Sequence, residues 1–256
     1  TPVPVLAPGR KKTKTGRIWT YVRDDRNAGS SDPPAAWFAY SPDRQGKHPE
    51  LHLRSFRGVL QADAFAGYDR LFSTSREGGV LTEAACWAHA RRKIHDVYIS
   101  SQSATAEEAL KRIGELYAIE AEIRGMPETE RLAARQSRSA PLLASLHEWM
   151  VEKSATLSKK SRLGEAFTYA LNQWDALCYY CDDGLAEPDN NAAERALRAV
   201  CLGKKNYIFF GSDHGGERGA LLYGLIGTCR LNGIDPEGYL RHILSVLPEW
   251  PSNKVA

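Results

Sequence analysis

The sequence predicts an α/β protein: a strand-rich opening section, then an all-helical block, then further helices to the end. Three observations carry this. Short runs rich in β-branched and aromatic residues, at 3 to 6, 17 to 24 and 35 to 40, alternate with Gly, Lys, Asp, Ser and Pro. From Thr105 the apolar positions recur at helical spacing, and they keep doing so to about Cys181. From Asp189 a polar helix start appears, followed by two apolar-patterned helices.

The three opening runs are separated by short turn-forming stretches and read as an antiparallel meander. Gly58-Val-Leu-Gln-Ala-Asp63 is a further strand that ends in a carboxylate, with Gly67 in the turn beyond it. Glu83 to Tyr98 reads as a strand end passing into a helix. Ala109, Leu110, Ile113, Leu116, Tyr117, Glu120 and Ile123 then mark a helix that stops at Gly125 and Pro127. Two more helices are expected, from about Glu128 to Trp149 and from about Ser161 to Cys181, closed by the Asp183-Gly184 turn. Asp189-Asn-Asn-Ala-Ala-Glu-Arg opens another, which Gly203 and a Gly211 to Gly219 loop are expected to break. Leu221 to Leu231 and Glu237 to Leu247 are the closing helices. The expected division is a core over 1–100, a helical insertion over 101–185, a core helix over 186–210 and a C-terminal helical element over 211–256.

With 256 residues, 43% apolar and 25% charged, the chain is long enough for one large domain or a core with an inserted subdomain. Its net charge of +3 does not diagnose a nucleic-acid partner. Basic residues do cluster, at Arg10, Lys11, Lys12, Lys14 and Arg17, at Arg91, Arg92 and Lys93, at Lys159, Lys160 and Arg162, and at Lys204 and Lys205. Each cluster is also what an ordinary solvated face looks like. Five cysteines, an odd number, do not form a secreted disulfide framework, so a cytoplasmic location is expected. The N-terminus lacks the blocks of a signal peptide, and the apolar stretch near Leu221 to Cys229 is too short to span a bilayer, so no membrane role is expected. The first residue is Thr, two positions ahead of a strand-like Val-Pro-Val, and the chain reads as a piece of a longer protein.

Asp63 sits where a strand runs out, well placed to project into a crevice at the sheet's edge. Taken alone it reads more readily as a turn-forming Asp. Glu194 has the spacing of a capping box with Asn191, and Arg198 stands one helical turn beyond it as an ordinary ion-pair partner. The combination is what raises both: a carboxylate at a strand end, a long helical block, then an acidic residue on a helix opening D-N-N-A-A-E-R. Cys86 and His89 share a helix face, but two ligands do not make a zinc site. Cys178 and Cys181 offer a further pair, on a helix whose Trp174 and Leu177 point to a buried apolar face.

Four segments together resemble the transposases of the insertion sequence 66 group: TKTGRIWTYVRDDR at 13 to 26, RGVLQADAFAGYD at 57 to 69, CWAHARRK at 86 to 93, and DNNAAERALRAVCLGKKNYIFFGSDHGGERGA at 189 to 220. LYAIEAEIRG at 116 to 125 and NGIDPEGYLRHIL at 232 to 244 are similar to that family as well. The resemblance implies a ribonuclease-H-like mixed sheet core with an inserted all-helical subdomain. It implies an Asp, Asp, Glu triad binding two divalent ions, Mg2+ or Mn2+, with Asp63 matching the second carboxylate and Glu194 the third. The first is expected ahead of Thr1. Asp24 and Asp25 point to opposite faces of a strand, so one of them is a conceivable substitute, although a polar strand end entering a loop is the plainer reading.

Acidic residues suit this chemistry because hard divalent ions take oxygen ligands, and two ions about 4 Å apart activate the attacking oxygen and neutralise the leaving one. The resemblance implies cleavage at transposon ends and strand transfer into target DNA, with a homo-oligomer expected in the complete enzyme. Without its first carboxylate the isolated chain is expected to be inactive or nearly so. The alternative from another class is a non-enzymatic remnant that binds DNA or a sister subunit. A sugar hydrolase needs only two carboxylates, but the basic flanks speak against it. Arg91, Arg92, Arg195, Arg198, Lys204 and Lys205 flank the carboxylates in sequence and are expected to touch phosphate. The resemblance makes Cys86-Trp-Ala-His89 a signature near the active site, where His89 contacts DNA or supports a carboxylate.

Overall fold

A computed structural model describes residues 1–7, 9 and 12–251. Arg10 and Lys11 of the first basic cluster lie outside the described residues. In chain order the strands and helices are β1 (Pro2–Leu6), β2 (Thr13–Arg23), β3 (Ala35–Ser41), α1 (Lys47–His52), β4 (Val59–Gln61), β5 (Thr82–Ala84), α2 (Trp87–Ser101) and α3 (Ala104–Glu122). They continue as α4 (Glu128–Ala134), α5 (Ala140–Thr156), α6 (Arg162–Asn172), α7 (Trp174–Cys178), α8 (Asn191–Tyr207), α9 (Asp213–Leu231) and α10 (Pro236–Val246). The chain divides into two compact units, one of Thr1–Asp24, Asp32–His48 and Ala192–Ala256, the other of Asp25–Ser31 and Pro49–Asn191.

The first unit is built on the antiparallel sheet β1-β2-β3. Alternation along β1 turns Val3 and Val5 inward, where they meet Ile18, Ala36, Phe38, Val200 and Ala220 in one apolar core. β2 begins at Thr13, four residues before the expected strand, because β1 pairs with its leading half and β3 with its trailing half. The outer edge of β1 is closed by Phe210, whose N–H donates to the Pro4 carbonyl at 2.9 Å and whose carbonyl accepts from Leu6 N–H at 2.8 Å.

Helix α9 packs on β3 through small residues. Ala36 lies against Thr228, whose hydroxyl donates to the Ala36 carbonyl and accepts from the Ala36 N–H, both at 3.1 Å. The fold departs from the sequence expectation at two places. The Gly211 to Gly219 stretch is not a loop: Ser212 caps α9 by accepting from Gly215 N–H, and the helix runs from Asp213. Its glycines are there for space, since a Cβ at Gly216 would stand 2.5 Å from the Tyr40 ring and one at Gly219 would stand 2.5 Å from the Phe210 ring. Gly203 does not break α8 either; a Cβ there would lie 2.2 Å from the Tyr223 hydroxyl, so it permits close packing of α8 on α9.

The second unit joins the short parallel pair β4-β5 to a helical body. Trp87, Ala90, Ile94 and Val97 of α2 pack with Ile113 and Leu116 of α3, Leu146 and Met150 of α5, and Phe167 of α6 in one core. The expected helix over 128–149 is longer, running through a π-helical turn at Arg135–Ser139 to Thr156. The expected helix over 161–181 is split at Gln173 into α6, α7 and a 3-10 turn at Tyr179–Cys181. Among the described residues no helix is long and apolar enough to cross a membrane.

Candidate active site

In the second unit, Asp63 follows directly on the parallel ladder. Ala62 N–H donates to the Ala84 carbonyl at 3.1 Å, extending β4 by one residue, and Asp63 is the next, half-buried residue. Its own carbonyl accepts from Phe65 N–H at 2.8 Å, which turns the chain away. A carboxylate at the end of a parallel strand is set in the position where α/β proteins place ligand-binding groups. Beside it stands Tyr169 of α6. Burial raises the Tyr169 phenol pKa, partly offset by hydrogen bonding to Gln173, and the Asp63 carboxylate raises it further. Lys93 Nζ lies 4.6 Å from the centre of the same ring, so α2 and α6 bring a cation, an aromatic face and a carboxylate into one neighbourhood.

α2 carries His89, half-buried, and Arg91 and Arg92, both exposed. Its buried face of Trp87, Ala90, Ile94 and Val97 fixes the helix so that the two arginines point outward. Cys86, just ahead of α2, is 2% exposed. Burial pushes its thiol pKa up, so the neutral thiol donates to Asn190 Oδ1 at 3.1 Å, while Asn190 N–H points back at the sulfur at 3.4 Å. Trp87 N–H donates to the Pro188 carbonyl at 2.9 Å, and Tyr117 of α3 donates its hydroxyl to Asp189 Oδ2 at 3.0 Å. Asp189 Oδ1 accepts from Asn191 N–H at 3.1 Å, the first residue of α8. The expected capping box took Asn191 as the cap, whereas the helix already includes Asn191.

The stretch leading into this corner is held by buried ions. Arg135, fully buried in the π-helical turn, donates from Nε and Nη2 to the two Glu120 carboxylate oxygens at 2.8 and 2.7 Å. Its Nη1 donates to the carbonyls of Tyr180 at 3.1 Å and Asp183 at 2.8 Å. Arg131, also buried, pairs with Glu187 at 2.5 Å, and Asn27 donates to the other Glu187 oxygen at 3.2 Å. None of Tyr117, Arg131, Arg135, Glu187 or Asn190 was singled out for a role from the sequence. Their partners are up to 104 residues away, and no local spacing records such pairs.

In the first unit, Glu194, Arg195 and Arg198 are exposed on α8, while Val200 of the same helix is buried. Lys204 donates to the Pro2 carbonyl at 3.1 Å, and Lys205 is exposed. Asp25, weighed as a substitute carboxylate, belongs to a turn in which its carbonyl accepts from Ala28 N–H at 2.9 Å.

The acidic donors suit hard divalent ions. Among the described residues, however, no three His, Cys, Asp or Glu side chains gather into a metal-binding group. All five cysteines are free.

Residues 1–218 match the model of the Transposase IS66 family, and residues 224–256 match that of the IS66 C-terminal element. The chain is 40% identical to the uncharacterized protein y4hP of Sinorhizobium fredii, in an alignment covering 100% of this chain and 48% of that protein. It is 36% identical to y4qI of the same organism, with 100% and 48% covered, and 39% identical to y4jD, with 95% and 48% covered. The chain therefore spans about half the length of these curated relatives. No solved structure matches it. The motifs around Asp63, Cys86 and Glu194 and the match over residues 1–218 agree: the chain belongs to the IS66 family of transposases.

Proposed function

We propose that this chain is the catalytic region of a DNA transposase that cleaves DNA strands at transposon ends and transfers them to target DNA. The observation that carries the reading is the family match over residues 1–218, with Asp63 at the end of the parallel strand pair supporting it. In this reading Asp63 and Glu194 are the second and third carboxylates of an Asp, Asp, Glu set on a ribonuclease-H-like core. Mg2+ or Mn2+, when bound, neutralises charge on the oxygens of an in-line displacement at phosphorus.

The protein's own residues contribute position and charge. Water attacks the phosphodiester at a transposon end, the phosphorus–oxygen bond to the 3′ oxygen breaks, and the freed 3′ hydroxyl then attacks a target phosphodiester, joining to its phosphorus while the bond to the target strand's own 3′ oxygen breaks and that oxygen leaves as a hydroxyl. His89, Arg91, Arg92, Arg195, Arg198, Lys204 and Lys205 serve as contacts to phosphate, because a polyanion docks on side chains that replace its counterions. Holding two ends together calls for a homo-oligomer, and DNA as substrate fits a cytoplasmic protein.

The test uses DNA from the ends of the parent element, in Mg2+ or Mn2+, with this chain and with a protein of the relatives' full length. Asp63→Asn and Glu194→Gln are each expected to lower strand cleavage by more than about 100-fold while DNA binding persists. Cleavage that survives both substitutions overturns the assignment. DNA binding without cleavage by any form points instead to a non-enzymatic binding role.

A further inference from the structure

We propose that Cys86 and Tyr117 are positioning residues: together they lock the Asp189–Asn191 segment from which the helix bearing Glu194 starts. The proposal rests on the reading of Glu194 as a catalytic carboxylate and adds to it how that helix start is held. Neither Cys86 nor Tyr117 touches the reacting groups in this account.

The geometry is a two-point latch. Cys86 engages both the side chain and the backbone of Asn190, donating to Oδ1 at 3.1 Å and receiving the N–H at 3.4 Å. Tyr117 holds Asp189 Oδ2 at 3.0 Å, which leaves Oδ1 to accept from Asn191 N–H at 3.1 Å, at the first turn of α8. The two supports come from different places, Cys86 from the approach to α2 and Tyr117 from α3. Glu194 lies three residues beyond Asn191, so a shift of this segment is passed along less than one helical turn.

The chemistry of the two side chains suits the task. Burial keeps the Cys86 sulfur a thiol, able to donate and accept at once, where a thiolate could only accept. Burial and the Asp189 carboxylate likewise hold Tyr117 as a neutral phenol that donates. On this view α3 supplies one half of the latch.

Hydrogen–deuterium exchange on this chain tests the latch without requiring activity. Tyr117→Phe, which loses one hydrogen bond, is expected to speed exchange at the amides of residues 189 to 196 by about fivefold to tenfold, and Cys86→Ala, which loses two, by at least as much, with other segments unchanged. Cys86→Ser keeps a donor and an acceptor and is expected to restore wild-type exchange there, whereas the Ala variant is not. Unchanged exchange in the segment, a rise spread over the whole chain, or failure of Ser to rescue overturns the proposal. Exchange does not depend on cleavage, so an absence of cleavage in the wild-type protein counts against the proposed function alone.

Discussion

Asp213 shows how much one side chain does in this fold. It opens α9, accepts from Lys14 Nζ at 2.5 Å with one oxygen, and accepts from the Tyr40 hydroxyl at 2.5 Å with the other. Lys14 and Tyr40, the two hydrogen-bond donors, hold its carboxyl pKa below the usual value. A carboxyl pKa that is lower in the folded than in the unfolded state stabilises the fold fully above the unfolded value, about 4, and the contribution is lost as pH falls through the folded value. Asp213→Asn is accordingly expected to lower the thermal midpoint at pH 7 and to have a smaller effect near pH 2. The group is 45% exposed, so screening limits the loss to roughly 1 kcal/mol or less. Equal effects at both pH values exclude the ionic part of this account.

Among the elements, the π-helical turn between α4 and α5 has the clearest cause. The extra residue in such a turn disrupts regular helical bonding, and structures keep it where a side chain gains from being re-aimed. Here Arg135 gains four hydrogen bonds while fully buried. Arg135→Met leaves Glu120 without its bidentate partner and is expected to cost about 3 to 5 kcal/mol in chemical denaturation. Arg131→Met is expected to cost less. Glu120 keeps Arg135, Glu187 is 24% exposed and reaches water, and the Nε and Nη1 of Arg131 have no acceptor to lose. The reverse order of the two variants contradicts this assignment of roles.

Elements were legible in the sequence where one period dominates. β1 and β3 alternate, α3 repeats every three to four residues, and all three stand where the pattern puts them. α9 was not legible. Each glycine lowers helix propensity by about 1 kcal/mol, so its first two turns read as a loop, and only the rings of Tyr40 and Phe210 explain why glycine stands there. Gly203 misleads for the same reason, since its value lies in making room for Tyr223.

At the scale of the whole molecule, net charge says little about DNA and the placement of basic residues says more. Arg91 and Arg92 are exposed on α2, and Arg195 and Arg198 are exposed on α8. Each phosphate contact removed from a DNA-binding surface lowers the slope of log affinity against log salt by about 1. The double variant Arg195→Gln, Arg198→Gln is therefore expected to reduce that slope by about 2 in fluorescence anisotropy titrations on duplex DNA. An unaltered slope removes both residues from the interface.

The sequence by itself determined the family, the α/β class, the candidate carboxylates Asp63 and Glu194 and most of the helices, because motifs and periodicity are properties of neighbours along the chain. Only the tertiary structure decided that Cys86 faces Asn190, that Tyr117 reaches Asp189 and that Arg135 is buried against Glu120. Those pairs are 104, 72 and 15 residues apart, and they are set by how packed helices bring distant side chains within hydrogen-bonding reach.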